Sequence, residues 1–61
     1  MPIVQIDMIE GRDIEQKREM AAKITAVISE IAKCPLEAVT IIFREEPSHS
    51  IAKAGKLCSD A

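Results

Sequence analysis

Asp13 to Pro35 reads DIEQKREMAAKITAVISEIAKCP, and the fold turns on this stretch. Ile14, Ala21, Ile24, Val27, Ile28 and Ile31 recur at three- and four-residue steps, while Glu15, Lys23, Ser29 and Lys33 fall elsewhere on the wheel. That is the period of an amphipathic helix with one core-facing stripe. Its mixed-sign polar side separates it from a helix that lies on a membrane. Asp13 and Gln16 have the spacing of a capping box, so the helix is predicted to start near Ile14. Glu19 and Lys23 stand four apart in the favourable order, worth roughly a few tenths of a kcal/mol. Pro35 is predicted to stop the helix, because the residue before a proline is pushed out of the α region.

Working outward, Pro2 to Ile9 alternates Val4, Ile6 and Met8 with Ile3, Gln5, Asp7 and Ile9. This is period-two patterning with a partly apolar second face, hence a strand covered on much of both sides. Ala38 to Arg44, through Val39, Thr40, Ile41, Ile42 and Phe43, is β-branched and aromatic between Pro35 and Pro47, and reads as a second strand. A strand, a helix of about five turns and a strand make one β-α-β crossover, with parallel strands and a right-handed connection. Pro47 to Ala61, with Ser48, His49, Ser50, Ala54 and Gly55, reads as a loop or short hairpin whose Ile51 and Leu57 pack on something. The fold class is α/β (α+β), with residues 1–61 forming a single domain.

At 61 residues the chain buries only about 60% of its unfolded surface, so stability needs help beyond a solitary core. Cys34 and Cys58 are far apart with no CxxC pair, and the start is a polar-interrupted strand without a cationic leader, so the reading is cytoplasmic with free thiols. One histidine and two remote thiols are a poor ligand set, so no metal is expected. A net charge of -2 with interspersed signs gives no field for a phosphate backbone, and Phe43 alone offers no stacking platform. No apolar run approaches the roughly 20 residues of a membrane span. Neither nucleic acid nor membrane is an expected partner. Two strands and one helix cannot cover both faces of the sheet, so neighbouring copies must, over Ile3, Ile9 and Ile42.

Chemistry points to the chain's start. Inside a chain a proline nitrogen is a tertiary amide, but once Met1 is removed Pro2 carries a free secondary amine. An α-amino group titrates near pH 7.7 to 8.0 as a rough reference, within reach of neutral-pH proton transfer.

Met1-Pro2, then Glu10-Gly11-Arg12, Glu15-Gln16-Lys17 and Pro35-Leu36 leading into a hydrophobic strand, together resemble the 4-oxalocrotonate tautomerase family over most of the chain. The resemblance implies β-α-β subunits that pair into dimers with a four-stranded sheet, usually three dimers to a hexamer. It implies that Pro2 is the catalytic base, moving a proton of a small enol or 2-oxo carboxylic acid, with no cofactor. An apolar pocket near cations would disfavour the ammonium form and keep the amine neutral. Arg12 matches the family's first arginine, which holds the substrate carboxylate and stabilises charge developing on oxygen.

Two positions depart from the family's pattern. Thr40 stands where well-known members have a second arginine, and Ile51 where they have an aromatic residue. Thr40 offers one hydroxyl hydrogen bond without charge, and Ile51 an apolar wall. Arg44 shares a strand face with Thr40 and is a candidate substitute cation, although pairing with the flanking Glu45 and Glu46 is the commoner fate. Ser48 and Ser50 mark His49 as a surface residue, and neither cysteine has the surroundings of a nucleophilic thiolate.

The expected function is therefore conversion of small enol acids to 2-oxo acids, with Pro2 catalytic and Arg12, Thr40 and Ile51 binding substrate. The alternatives are a water-adding, dehalogenase-like member that uses the same proline, and an oligomeric homologue that has lost activity.

Overall fold

The computed structural model describes residues 1–60. Strand β1 (Ile3–Ile9) leads into helix α1 (Ile14–Ala32), a 3-10 turn (Leu36–Ala38) and strand β2 (Thr40–Glu46). A second 3-10 turn (Ser48–Ser50), the short strands β3 (Ala52–Lys53) and β4 (Lys56–Leu57), and a last 3-10 turn (Cys58–Asp60) follow. β1 and β2 pair in parallel, from Ile3 opposite Thr40 to Ile9 opposite Glu46, as the crossover requires.

The helix ends are set by local chemistry. The Gln16 N–H donates to the Asp13 carboxylate at 2.8 Å, and the Asp13 N–H donates to the Gln16 side-chain oxygen at 3.0 Å, completing the capping box. At the other end Lys33 turns left-handed (φ 59, ψ 47), and the Cys34 N–H reaches back to the Ser29 carbonyl at 3.2 Å. The helix thus stops ahead of Pro35 by a left-handed cap, before the proline constraint acts.

β2 starts at Thr40 rather than Ala38. The Ala38 N–H is taken by the Pro35 carbonyl (3.0 Å) and the Val39 N–H by that of Leu36 (3.2 Å), which winds this segment into a turn. The strand also runs past Arg44. Glu45 faces the helix and pairs with Lys17, and the Glu46 carbonyl accepts the Glu10 N–H at 2.9 Å, so partners override the poor strand propensity of glutamate.

α1 covers one face of the sheet. Val4, Ile6 and Met8 of β1 and Ile41 and Phe43 of β2 are half-buried beneath Met20, Ala21, Ile24, Thr25, Ile28 and Ser29. The helix stripe is narrower than the sequence predicts. Val27 is rotated off it, while Ile14 and Ile31 sit in the end turns of a helix about 28 Å long over strands about 23 Å long, and all three are exposed. Ser29, predicted on the polar side, instead lies at the covered edge and donates its hydroxyl to the Cys34 carbonyl.

None of the described residues is buried in the single chain. The radius of gyration is 14.6 Å, against about 10 Å for a compact chain of this length, and the extents are 43 × 23 × 13 Å. This is a two-layer slab with a bare side. Ile3 is 62% exposed and Ile42 40% on the open face of the sheet.

β3 and β4 form a two-residue hairpin, with Ala52 opposite Leu57 and a turn at Ala54 (φ 52) and Gly55 (φ 82). Two left-handed residues make a type I′ turn, which suits Gly55 and strains an alanine. Ala54→Asn is expected to raise unfolding stability by up to about 1 kcal/mol, read as a higher denaturant midpoint at unchanged slope.

Candidate active site

Pro2 is half-buried at the entry to β1, behind a Met1 that is 92% exposed. Its carbonyl accepts the Thr40 N–H at 3.0 Å, which fixes the chain start against the start of β2. Because the strands are parallel and Thr40 lies opposite Ile3, Pro2 and Thr40 occupy one end of the sheet.

Arg12 lies at the other end. β1 closes at Ile9, and Gly11 turns the chain with φ 139, a conformation that favours glycine, to deliver an exposed Arg12 just before the helix cap. The intervening seven-residue strand is about 23 Å long. Ile51, half-buried, likewise follows the far end of β2, and its carbonyl accepts the Cys58 N–H at 2.8 Å. The four residues picked out in the sequence therefore fall into two half-sites: Pro2 with Thr40, and Arg12 and Ile51 beyond the opposite ends of the strands. A single chain holds Pro2 and Arg12 at opposite ends of the strands.

Arg12 borders an open groove of about 350 Å³ along α1, shared with Gln16, Glu19, Met20, Lys23 and Ile24. Met20 and Ile24 give it an apolar lining, and Lys23, 2.7 Å from Glu19, adds a second cation. Gln16, Met20 and Lys23 follow Arg12 at three- and four-residue steps, which is the signal that could have placed them beside it.

Arg44 is engaged elsewhere. Its Nε donates to Asp7 Oδ1 at 2.8 Å and Nη2 to Oδ2 at 3.2 Å, a forked pair between residues opposite each other in the strands. The partner is Asp7 across the sheet, not the flanking Glu45 and Glu46, because alternation turns Glu45 to the helix side and leaves Asp7 on the face of Arg44. His49 is exposed, and Cys34 and Cys58 are half-buried free thiols. No helix among the described residues is long and apolar enough to cross a membrane.

Comparison with known proteins agrees with this architecture. The sequence pattern of the tautomerase family, described as tautomerase enzyme, matches residues 2–61. A probable tautomerase of Streptococcus agalactiae is 42% identical over 57 residues, 93% of this chain and 95% of that protein. The heterohexameric 4-oxalocrotonate tautomerase from Chloroflexus aurantiacus superposes with a TM-score of 0.92 at 32% identity, covering 98% of this chain and 97% of that one. A structure determined for trans-3-chloroacrylic acid dehalogenase activity superposes with a TM-score of 0.82 at 34% identity, covering 92% and 97%. The chain belongs to the tautomerase family, within the 4-oxalocrotonate tautomerase group.

Proposed function

We propose that this chain is a tautomerase that converts small enol acids to 2-oxo acids through the amine of Pro2, in a site completed by a second copy. The observation that carries this reading is Pro2 itself, held at the strand entry by Thr40 directly behind Met1, in a chain of the tautomerase family.

With Met1 removed, the neutral amine takes the proton of the enol hydroxyl. As the oxygen becomes a carbonyl, the electron pair moves to the distal carbon, and the resulting ammonium returns a proton there. No net proton or electron is consumed. The arginine must come from another copy, because Pro2 and Arg12 stand at opposite ends of one chain. Arg12 then grips the carboxylate, Ile51 supplies an apolar wall and Thr40 a hydroxyl. Only the neutral amine is a base, so kcat/KM rises with pH through its titration and levels off above it.

A copy is also what the slab lacks: Ile3 and Ile42 on the open sheet face and Ile14 and Ile31 of α1 have nothing over them. The hexameric assembly of the Chloroflexus relative supports this reading.

Ketonisation of phenylenolpyruvate or 2-hydroxymuconate, compared between protein from which Met1 has been removed and protein that retains it, tests the proposal; equal rates would sink it. Arg12→Ala is expected to lower kcat/KM by the worth of a charge-assisted hydrogen bond, about 1.5–3 kcal/mol or roughly 10- to 150-fold, mainly through KM. An unchanged kcat/KM removes Arg12 from the site.

The dehalogenase-related structure favours a second reading, addition of water to a halogenated acrylate by the same amine. Release of halide from 3-chloroacrylate, outpacing ketonisation of the enol acids, would put that reading first.

A further inference from the structure

Among Ile3, Ile9 and Ile42 on the open face of the sheet sits one forked ion pair, Asp7 with Arg44. We propose that this pair is a polar lock which makes the face specific for a second copy of this chain and is desolvated when the copy covers it; this rests on the self-association read above.

Three observations carry the inference. The pair is oriented: two guanidinium nitrogens meet two carboxylate oxygens at 2.8 and 3.2 Å across adjacent strands, so the fork is fixed by the sheet rather than by chance contact of long side chains. Ile9 and Ile42 flank it, with Gln5 and Glu46 on its other sides, in a chain with no buried residue among those described, so the cover this face needs also takes the pair out of water.

The third is charge. Asp7 and Arg44 neutralise each other, which leaves Glu46 as the one uncompensated charge on the face and disfavours a strongly acidic partner. Arg44 has five N–H groups, of which Asp7 takes two. A copy carries the acceptors for the rest on the same face, in Gln5, Thr40 and Glu46. A purely apolar partner surface would leave those donors unpaired in the interface, which is how a buried polar group rejects a wrong partner.

The test is sedimentation velocity over a concentration series, with far-UV circular dichroism on the same samples. Wild-type protein is expected to assemble, and Asp7→Ala and Arg44→Ala each to raise the dissociation constant at least about thirtyfold, because each strands a charge in the interface. Where a single variant unfolds on dissociating, the double variant decides. Asp7→Leu/Arg44→Leu removes both charges and is expected to assemble within about tenfold of wild type. Single variants that sediment like wild type overturn the lock and leave self-association standing. A double variant that dissociates as far as the single ones also overturns it, since shape rather than charge would then be at work. A monomeric wild type at high micromolar concentration overturns self-association itself.

Discussion

Protein that retains Met1 is expected to ketonise enol acids at least about a hundredfold more slowly than protein from which Met1 has been removed, at equal substrate and pH. The two forms share every side chain, so the comparison isolates one nitrogen. With Met1 attached, that nitrogen is a tertiary amide whose lone pair is delocalised into the carbonyl and cannot accept a proton near neutrality. Without Met1 it is a secondary amine. Intact mass identifies each form, and circular dichroism checks that the fold is unchanged, as expected for a residue 92% exposed. Pro2→Ala is a milder test, because cleaved alanine still offers a primary amine. Its residual rate measures what the ring contributes, whereas the Met1 comparison measures the base. Equal rates in the two Met1 forms would transfer the proton to some other group. The chain's one histidine, His49, exposed in a turn beyond β2, would be the first candidate.

The β-α-β unit was legible because its signals are periodic and local. Alternation over Ile3 to Ile9, three-four spacing along α1 and the Asp13–Gln16 box each depend on neighbours a few residues away. The local signals fail where distant atoms decide. Ala38 has strand-like neighbours, but the Pro35 carbonyl captures its N–H and makes a turn. Ile14, Val27 and Ile31 share the apolar character of Ile24 and Ile28, and only the narrowness of a two-stranded sheet leaves them outside. The sequence leaves Arg44 between a substitute cation for the site and a surface charge beside Glu45 and Glu46, because sequence distance hides Asp7, which strand register brings opposite it. The split of the candidate site is a further step of the same kind. Parallel pairing puts Thr40 beside Pro2 and sends Arg12 to the far end, so residue identities could name the parts without showing that one chain holds them apart.

If Pro2 and Arg12 act together as proposed, the same split ties activity to assembly, and Ile42→Asp is expected to abolish both. Ile42 sits on the open face of β2 opposite Gln5, 40% exposed in one chain and covered in the assembly we infer. An aspartate there adds a second carboxylate beside a guanidinium whose charge Asp7 already neutralises, and desolvating the surplus charge costs several kcal/mol. That is comparable with the whole stability of a small domain. Because no described residue is buried in a single chain, the dissociated variant has little core left, and its far-UV helix signal is expected to fall along with its sedimentation coefficient. Wild-type protein should melt at a temperature that rises with protein concentration, the mark of folding coupled to assembly, and Ile42→Asp should lose that dependence. Ile42→Val, which keeps the face apolar, is expected to cost only about 0.5–1.5 kcal/mol and to keep activity. The kinetic consequence follows from the 23 Å or so of strand between Pro2 and Arg12. On the proposed mechanism, a monomer that still folds would hold its base at one end and its carboxylate clamp at the other, so kcat/KM should fall at least as far as in Arg12→Ala. An Ile42→Asp monomer with undiminished kcat/KM would mean that one chain suffices, and that Arg12 is not the residue that holds the acid.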